Sequence, residues 1–359
     1  MDQNICILAI KPEFLLTKIG LYQHDNLIFL KSIQHSQEIL NSFKTKTEQY
    51  EFRAKSILEE LSNADIVTSD IKIIVARGGL LKPIASGVYE VNEAMKHDLH
   101  NSPVGPHSVN IGGLIADYIA SKISGAKAYI ADPAVVDELD EIARYTGLPD
   151  IQRHSVFHAL NNKYVARKYA QAVRKSYNDL NLIVAHLGDG ISIGAHKKGK
   201  VVDVNQCFDG EGPFSLERAG TLPMVDIINI SYSGKYTKEK LLTMIRNEGG
   251  LFAYLGTSSY YEIEKAENNN NENVLKIFEA MAYQIAKYIG YMSPVFMEPI
   301  DAILITGMLA NNKWFAHLIT ERVKFLAPVH IFPGEDVLEA LAMNGNMILK
   351  GEANILEYK

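Results

Sequence analysis

One order of elements occurs twice in this chain, and it narrows the fold more than any other feature of the 359 residues. In the first half, residues 4–10, 17–23 and 26–33 read as short strands, with HDN (24–26) as the second hairpin turn. Residues 46–63 read as a helix, because Tyr50, Ala54, Ile57, Leu58 and Leu61 recur at helical spacing. IKIIVA (71–76) reads as a buried strand ending in Arg77-Gly78-Gly79, and a helix over 108–123 leads to a strand over 126–132. The second half begins again with strands at 181–187, 191–199 and 200–206, joined by turns carrying Gly190 and Gly199. Helices near 236–247 and 274–292, a strand at 301–307, a helix over 311–326 and a strand at 328–333 complete it. The repetition is of architecture and not of residues. Two β-β-β-α-β-α-β halves predict an α/β chain of two domains facing an interdomain cleft. The domains are expected at 1–152 plus 336–359, where the helical segment 335–352 returns to the first, and at 153–335.

The length allows two domains with cores of their own. With 36 basic and 42 acidic residues the net charge is -6, which argues against a nucleic-acid partner bound through a broad basic surface. A nucleotide site needs only a few local charges and stays open. Cys6 and Cys207 lie far apart without metal-like spacing, so a reduced, cytoplasmic protein is expected. The opening MDQNICILAI reads as a first strand and not a leader. No run of about 18 apolar residues suggests a membrane span. KAENNNNEN (265–273) reads as an exposed polar loop.

Several stretches hold residues suited to anion chemistry. HLGDGISIG (186–194) is a strand, a glycine turn and a strand. Such a turn can bring backbone N–H groups to phosphate, although an ordinary hairpin has the same signature and Asp189 is repulsive there. DGEGPFSLERAGTLP (209–223) packs Gly, Pro, Glu and Arg without helix or strand period, as functional loops do. In it Arg218 suits an anion clamp, or else a structural pair with Glu217 or Glu211. Arg77 ends a buried strand, where ligands of α/β folds gather. Asp132 follows a strand and precedes Pro133, which also suits a surface turn. His158 and Asn161 share one face of a helix start. Together the set suits binding an anion and moving a phosphoryl group.

ARGGLLKPIASGVYEVN, DPAVVDELDEIARYTGLP, FHALNNKYVARKYA, NLIVAHLGDGISIGAH, DVNQCFDGEGPFSLERAGTLP, YLGT, MAYQIAKYIG, ITGMLA and FPGED resemble butyrate kinases of the acetate kinase family, nearly end to end. The resemblance implies two ribonuclease-H-like domains of the actin-like ATPase type. It also implies reversible, ATP- and Mg²⁺-dependent phosphorylation of butyrate or a similar short- or branched-chain fatty acid to the acyl phosphate. By motif position, Arg77 and Arg218 would clamp the carboxylate and the transferring phosphoryl. His158 would donate to the moving group, Asp132 would orient the site and its cation, and Glu335 would hold Mg²⁺ directly or through water. Thr17, Lys18, His186, Gly188, Gly190, Thr306 and Gly307 would lie on the nucleotide side. A homodimer is implied, with no membrane or nucleic-acid partner.

Three nucleotide stretches depart from the family pattern. Where N-P-G-S-T-S-T-K is usual, this chain reads Lys11, Pro12, Glu13, Phe14, Leu15, Leu16, Thr17 and Lys18. A usual G-G-G is Gly188-Asp189-Gly190, and a usual T-G-G is Thr306-Gly307-Met308. The residues therefore leave two readings open: a carboxylate kinase with a remodelled nucleotide site, or a catalytically impaired homologue that binds a carboxylate or acyl phosphate, or serves as a partner subunit.

Overall fold

The structure, a computed structural model, describes residues 5–101 and 108–359. It divides into two compact units, one of residues 1–136, 159–164 and 336–359, the other of 137–158 and 165–335.

The first unit holds strands β1 (Cys6–Pro12), β2 (Leu16–Gln23), β3 (Asn26–Gln34), β4 (Ile71–Arg77), β5 (Val88–Glu90), β6 (Lys127–Ala131) and β12 (Ile355–Leu356). They form one sheet in the order β12-β5-β6-β4-β1-β2-β3. Its helices are α1 (Gln37–Asn41), α2 (Tyr50–Asn63), α3 (Glu93–Asn101), α4 (Ile111–Lys122) and α12 (Val337–Leu349), with the first residues of α5 (Ala159–Ala172). The strand period of two sorts the side chains of β1. Leu8 and Ile10 join the core built with Ile57 and Leu61 of α2 and Ile111 and Ile115 of α4. Ile7 points the other way and meets α12 at Gly345. Both faces are covered, which is why β1 and β4 are nearly continuous apolar runs.

The second unit holds β7 (Asn181–Leu187), β8 (Ile191–Lys197), β9 (Lys200–Val204), β10 (Ala302–Gly307) and β11 (Val329–Pro333), in the order β11-β10-β7-β8-β9. Its helices are the rest of α5, then α6 (Met224–Tyr232), α7 (Lys238–Arg246), α8 (Gly250–Leu255), α9 (Tyr260–Asn268), α10 (Glu272–Met292) and α11 (Lys313–Val323). In α10, Val274, Phe278, Met281, Ala282, Ile285 and Ile289 form one buried stripe at helical spacing. In each unit the first strand pairs antiparallel with the second and parallel with the fourth. The order β6-β4-β1-β2-β3 is therefore repeated as β11-β10-β7-β8-β9.

Every expected strand ends within two residues of the observed one, apart from Asn4, which lies outside the described residues. The expected loop at 265–273 is wrong at both ends, where 265–268 and 272–273 are helical. Helix α9 runs to Asn268, only Asn269–Asn271 turn, and Asn271 caps α10 by accepting from the backbone of Asn273 and Val274. The asparagines mark a helix boundary.

Candidate active site

In the second unit, Gly188-Asp189-Gly190 turns β7 into β8, closed by Gly188 N–H donating to the Gly190 carbonyl at 3.2 Å. A Cβ at position 190 would lie 1.6 Å from Arg218 Nη1 and 2.5 Å from its Cζ. The Arg218 guanidinium fills the space that a side chain at 190 would need. Its Nη1 donates to the Cys207 carbonyl at 2.8 Å, and its Cζ lies 5.4 Å from the centre of the Phe208 ring. Ser215 fixes the backbone beneath it: Arg218 N–H donates to Ser215 Oγ at 3.2 Å, and Ser215 N–H to the Arg218 carbonyl at 3.0 Å. The irregular loop read at 209–223 is thus a cradle for one guanidinium.

Among the described residues, no carboxylate forms an ion pair with Arg218. Arg153 takes Glu211 at 2.7 Å and Asp203 at 2.9 Å, while Ser258 Oγ donates to Glu217 at 2.7 Å. The structural pair that the residues left open is not made, so the half-exposed cation keeps its capacity for an external anion.

His158 precedes α5 and His186 lies near the end of β7. Their rings stack at 3.9 Å with planes 15° apart. His158 Nδ1 shares a hydrogen bond with Ser192 Oγ at 3.1 Å, and His186 Nε2 meets a Glu335 oxygen at 2.9 Å. Glu335 is placed by the ends of β10 and β11. Gly307 and Gly334 exchange backbone bonds at 3.1 and 3.0 Å, and Thr306 Oγ1 donates to the Gly334 carbonyl at 3.3 Å. Gly307 has φ 94°, and a Cβ there would lie 2.4 Å from the Leu187 carbonyl oxygen. The Thr-Gly pair thus lets β10 finish against the end of β7.

Ligand atoms of His158, His186 and Glu335 lie within 4.8 Å of one another. Nearly parallel stacked rings keep their in-plane lone pairs in separate planes, so the two imidazoles do not converge on one metal. The half-buried Glu335 carboxylate, which meets His186, is a hard oxygen donor of the kind that Mg²⁺ prefers. Although part of the Asp189 side chain reaches solvent, its carboxyl is pushed above its ordinary range, first by hydration lost against the surrounding protein, then by Glu217; Arg218 opposes this, Glu335 adds to it and His186 opposes it. Cys207 sits 3.6 Å from Arg218 Nη1 and 3.8 Å from His158 Nδ1, but burial pushes its thiol up and disfavours the reactive thiolate.

The remaining expected residues lie in the first unit. Arg77 closes β4, is half-exposed and makes no ion pair among the described residues. Asp132 is buried with φ 39°, and its Oδ1 accepts from Ser86 Oγ at 2.6 Å and Gly87 N–H at 3.0 Å. Backbone strain held by such bonds is common at functional positions. Thr17 is buried, its hydroxyl bonded to His35 Nε2 at 2.9 Å and to Arg53 Nη1 at 3.2 Å. Lys18 lies 3.6 Å from Glu13, and Lys11 2.9 Å from the same carboxylate. Burial would raise the Glu13 carboxyl, but these two lysines outweigh it and hold it below the usual range.

Sequence reasoning missed Arg53. It sits one helical repeat before Ile57 and Leu61 on the buried face of α2 and is 1% exposed. It donates to the carbonyls of Glu13 and Phe14 at 2.8 Å and of Leu16 at 3.1 Å. A cation in an apolar stripe was the available signal.

The chain matches the model of the acetokinase family over residues 145–331. Butyrate kinase 1 of Clostridium acetobutylicum is 46% identical over 353 residues, covering 98% of this chain and 99% of that one. Butyrate kinase 2 of the same organism is 43% identical with the same coverage. Among solved structures, acetate kinase of Porphyromonas gingivalis superposes with a TM-score of 0.78 at 17% identity, covering 96% of this chain and all of that one. A propionate kinase of Francisella tularensis gives 0.73 at 16% identity, covering 94% and 98%. These two likenesses establish the fold, an actin-like ATPase architecture of ribonuclease-H-like units. The curated relatives align almost from end to end, and the protein belongs to the acetokinase family.

Proposed function

We propose that this protein is a carboxylate kinase of the butyrate kinase type, which moves the γ-phosphoryl group of ATP, with Mg²⁺, to and from a short- or branched-chain fatty acid. Two named butyrate kinases at 43–46% identity over nearly the whole chain support the reaction class. Bound Mg-ATP would supply the electrophilic phosphorus and part of the charge neutralisation. The observation that carries the proposal is Arg218: anchored through Cys207 and Ser215, held over Gly190, and paired with no carboxylate among the described residues. A guanidinium fixed in this way stabilises negative charge on oxygens without reorganising.

His158, oriented by Ser192 and the stacked His186, donates to the moving group. Glu335 holds the cation, and Thr306 and Gly307 shape the adjoining nucleotide side with Gly188 and Gly190. Arg77, Asp132 and Lys18 take the roles that the resemblance implies, while the buried Thr17, its hydroxyl bonded to His35 and Arg53, braces the β1–β2 turn. The substrate carboxylate is itself the nucleophile, so the suppressed thiol of Cys207 is no obstacle. The impaired alternative rests on the altered turns alone, and the relatives lend it nothing. A homodimer fits helix α6, which buries none of its residues and exposes Met224, Val225, Ile228 and Tyr232.

The test is acyl phosphate formation from butyrate and Mg-ATP, trapped with hydroxylamine. The wild type is expected to turn over, and Arg218→Ala to lose on the order of 10²–10³ in rate. A folded wild type inert towards butyrate, acetate, propionate and isobutyrate would overturn the proposal.

A further inference from the structure

A cavity of about 250 Å³ in the first unit adjoins the β1–β2 turn and the segment leading from α1 into α2. Its lining includes apolar Phe14, Leu40 and Phe43 and basic Lys44, Lys46 and Arg53. No acidic residue is among its described lining residues. The nearest carboxylates are engaged elsewhere: Glu48 accepts from the Lys44 backbone N–H at 2.9 Å, and Glu13 is held by Lys11 and Lys18.

Among the described residues these three basic side chains have no anionic partners. Arg53, 1% exposed, spends its terminal nitrogens on three carbonyls, Thr17 Oγ1 and Gln49 Oε1, all neutral. Its Nε has no hydrogen-bond partner among the described residues. Lys46 Nζ stands 5.8 Å from the centre of the Phe14 ring, and neither Lys44 nor Lys46 makes an ion pair among the described residues. A buried charge without a counterion is costly, and a cavity beside it is where a counterion would be accommodated.

We propose that this cavity binds a small organic monocarboxylate, its carboxylate drawn by Lys44, Lys46 and Arg53 and its short apolar tail held by Phe14, Leu40 and Phe43. The volume lies below the roughly 300–1,000 Å³ of pockets for drug-sized ligands, which restricts the ligand to an acid of few carbons or a single ring. The mixed walls exclude a bare inorganic anion as the best fit. The exposed Phe14 and Leu15, unexpected in a turn of this kind, are then the apolar lip of a binding site. The inference does not depend on kinase activity, because Arg218 belongs to the other unit.

The experiment is calorimetric titration of the full chain with benzoate and with inorganic phosphate, on wild type, the Lys44→Gln/Lys46→Gln double variant, Phe14→Ser and Arg218→Ala. Both lysines are exposed, so the double variant should melt with the wild type. Expected is benzoate binding at millimolar concentrations or below, weakened about 10-fold or more by the double variant and by Phe14→Ser, and unchanged by Arg218→Ala. Benzoate binding that the double variant leaves intact, or that disappears with Arg218→Ala, would place the anion elsewhere and end the proposal. So would phosphate binding as tightly as benzoate, or no benzoate heat at about 10 mM. A protein that binds benzoate in this way but forms no acyl phosphate would refute the kinase reading and leave this site standing.

Discussion

Arg218 and Gly190 together show what a short motif can hide. Gly-Asp-Gly invites a phosphate reading, because glycine opens the backbone to a ligand. Here the space left at Gly190 is filled by the protein's own guanidinium, 1.6 Å from where a Cβ would sit. The glycine therefore serves Arg218. Gly190→Ala would displace a side-chain end and no backbone but would break the anchor from Arg218 to the Cys207 carbonyl, so its cost to stability should be about 1–2 kcal/mol. Its cost to catalysis should be larger, since a misplacement of about 1 Å in a reacting group can cost on the order of 10² in rate. Denaturant midpoints and the hydroxylamine assay, run on the same variant, separate the two. An unfolded variant, or one as active as wild type, would refute this account of Gly190. The loop around Arg218 was legible because charge, Pro and Gly crowd together without a period. Its freedom from Glu211 and Glu217 was not legible, because that depends on where Arg153 and Ser258 fall in space.

At the scale of elements, the longer strands were readable, while the short β5 and β12 and several helices were not, for a physical reason. Strands β1, β4, β7 and β10 are nearly continuous apolar runs because both faces of their sheets are covered. Helix α6 has apolar residues that face water, so its pattern says nothing about a core. Helix α9 buries only Ile263, and its polar composition passes for a loop. The β1–β2 turn was legible only as an anomaly. Its explanation lies in α2 and at the end of β3: Arg53 gathers the turn's carbonyls, and His35 N–H donates to the Leu15 carbonyl at 2.8 Å. This network carries a pH signature. Burial first, and the Arg53 charge second, lower the His35 pKa from 6.5 to about 4. The folded state therefore keeps His35 neutral, while the unfolded chain takes up a proton near pH 6.5. Stability from this group is complete above that pH and is lost as pH falls towards 4, by about 2–3 kcal/mol. His35→Gln can still bond Thr17 and does not titrate. Denaturant midpoints at pH 7 and 4.5 should fall more for wild type than for His35→Gln. Equal falls would show that His35 is already protonated in the folded protein.

At the scale of the molecule, the repeated strand order makes the turns at 13–15 and 188–190 counterparts, each joining the first two strands of its sheet. Each carries a carboxylate where phosphate-binding turns favour small neutral residues. Glu13 is held ionised by Lys11 and Lys18, so its charge is compensated locally. The Asp189 carboxyl is pushed up, which favours its neutral form relative to an ordinary carboxylate, while Arg218 stands opposite. Both arrangements lessen the repulsion that a bare carboxylate would exert on a polyphosphate. Mg-ATP should therefore still bind the folded protein and raise its melting temperature. By mass action the gain is about 2.7 kcal/mol at 100 times the dissociation constant, and a few degrees should be visible at millimolar nucleotide. A variant with Lys11→Asn, Glu13→Gly, Phe14→Ser, Leu15→Thr, Leu16→Ser and Asp189→Gly removes both carboxylates and restores hydroxyl donors, and its shift should exceed the wild type's. A wild type that does not respond while the variant does would mean that the two turns exclude nucleotide, and the protein would have to be understood through its carboxylate sites. Equal shifts would mean that nucleotide affinity is set elsewhere in the two units, with the turns altered at no cost to it.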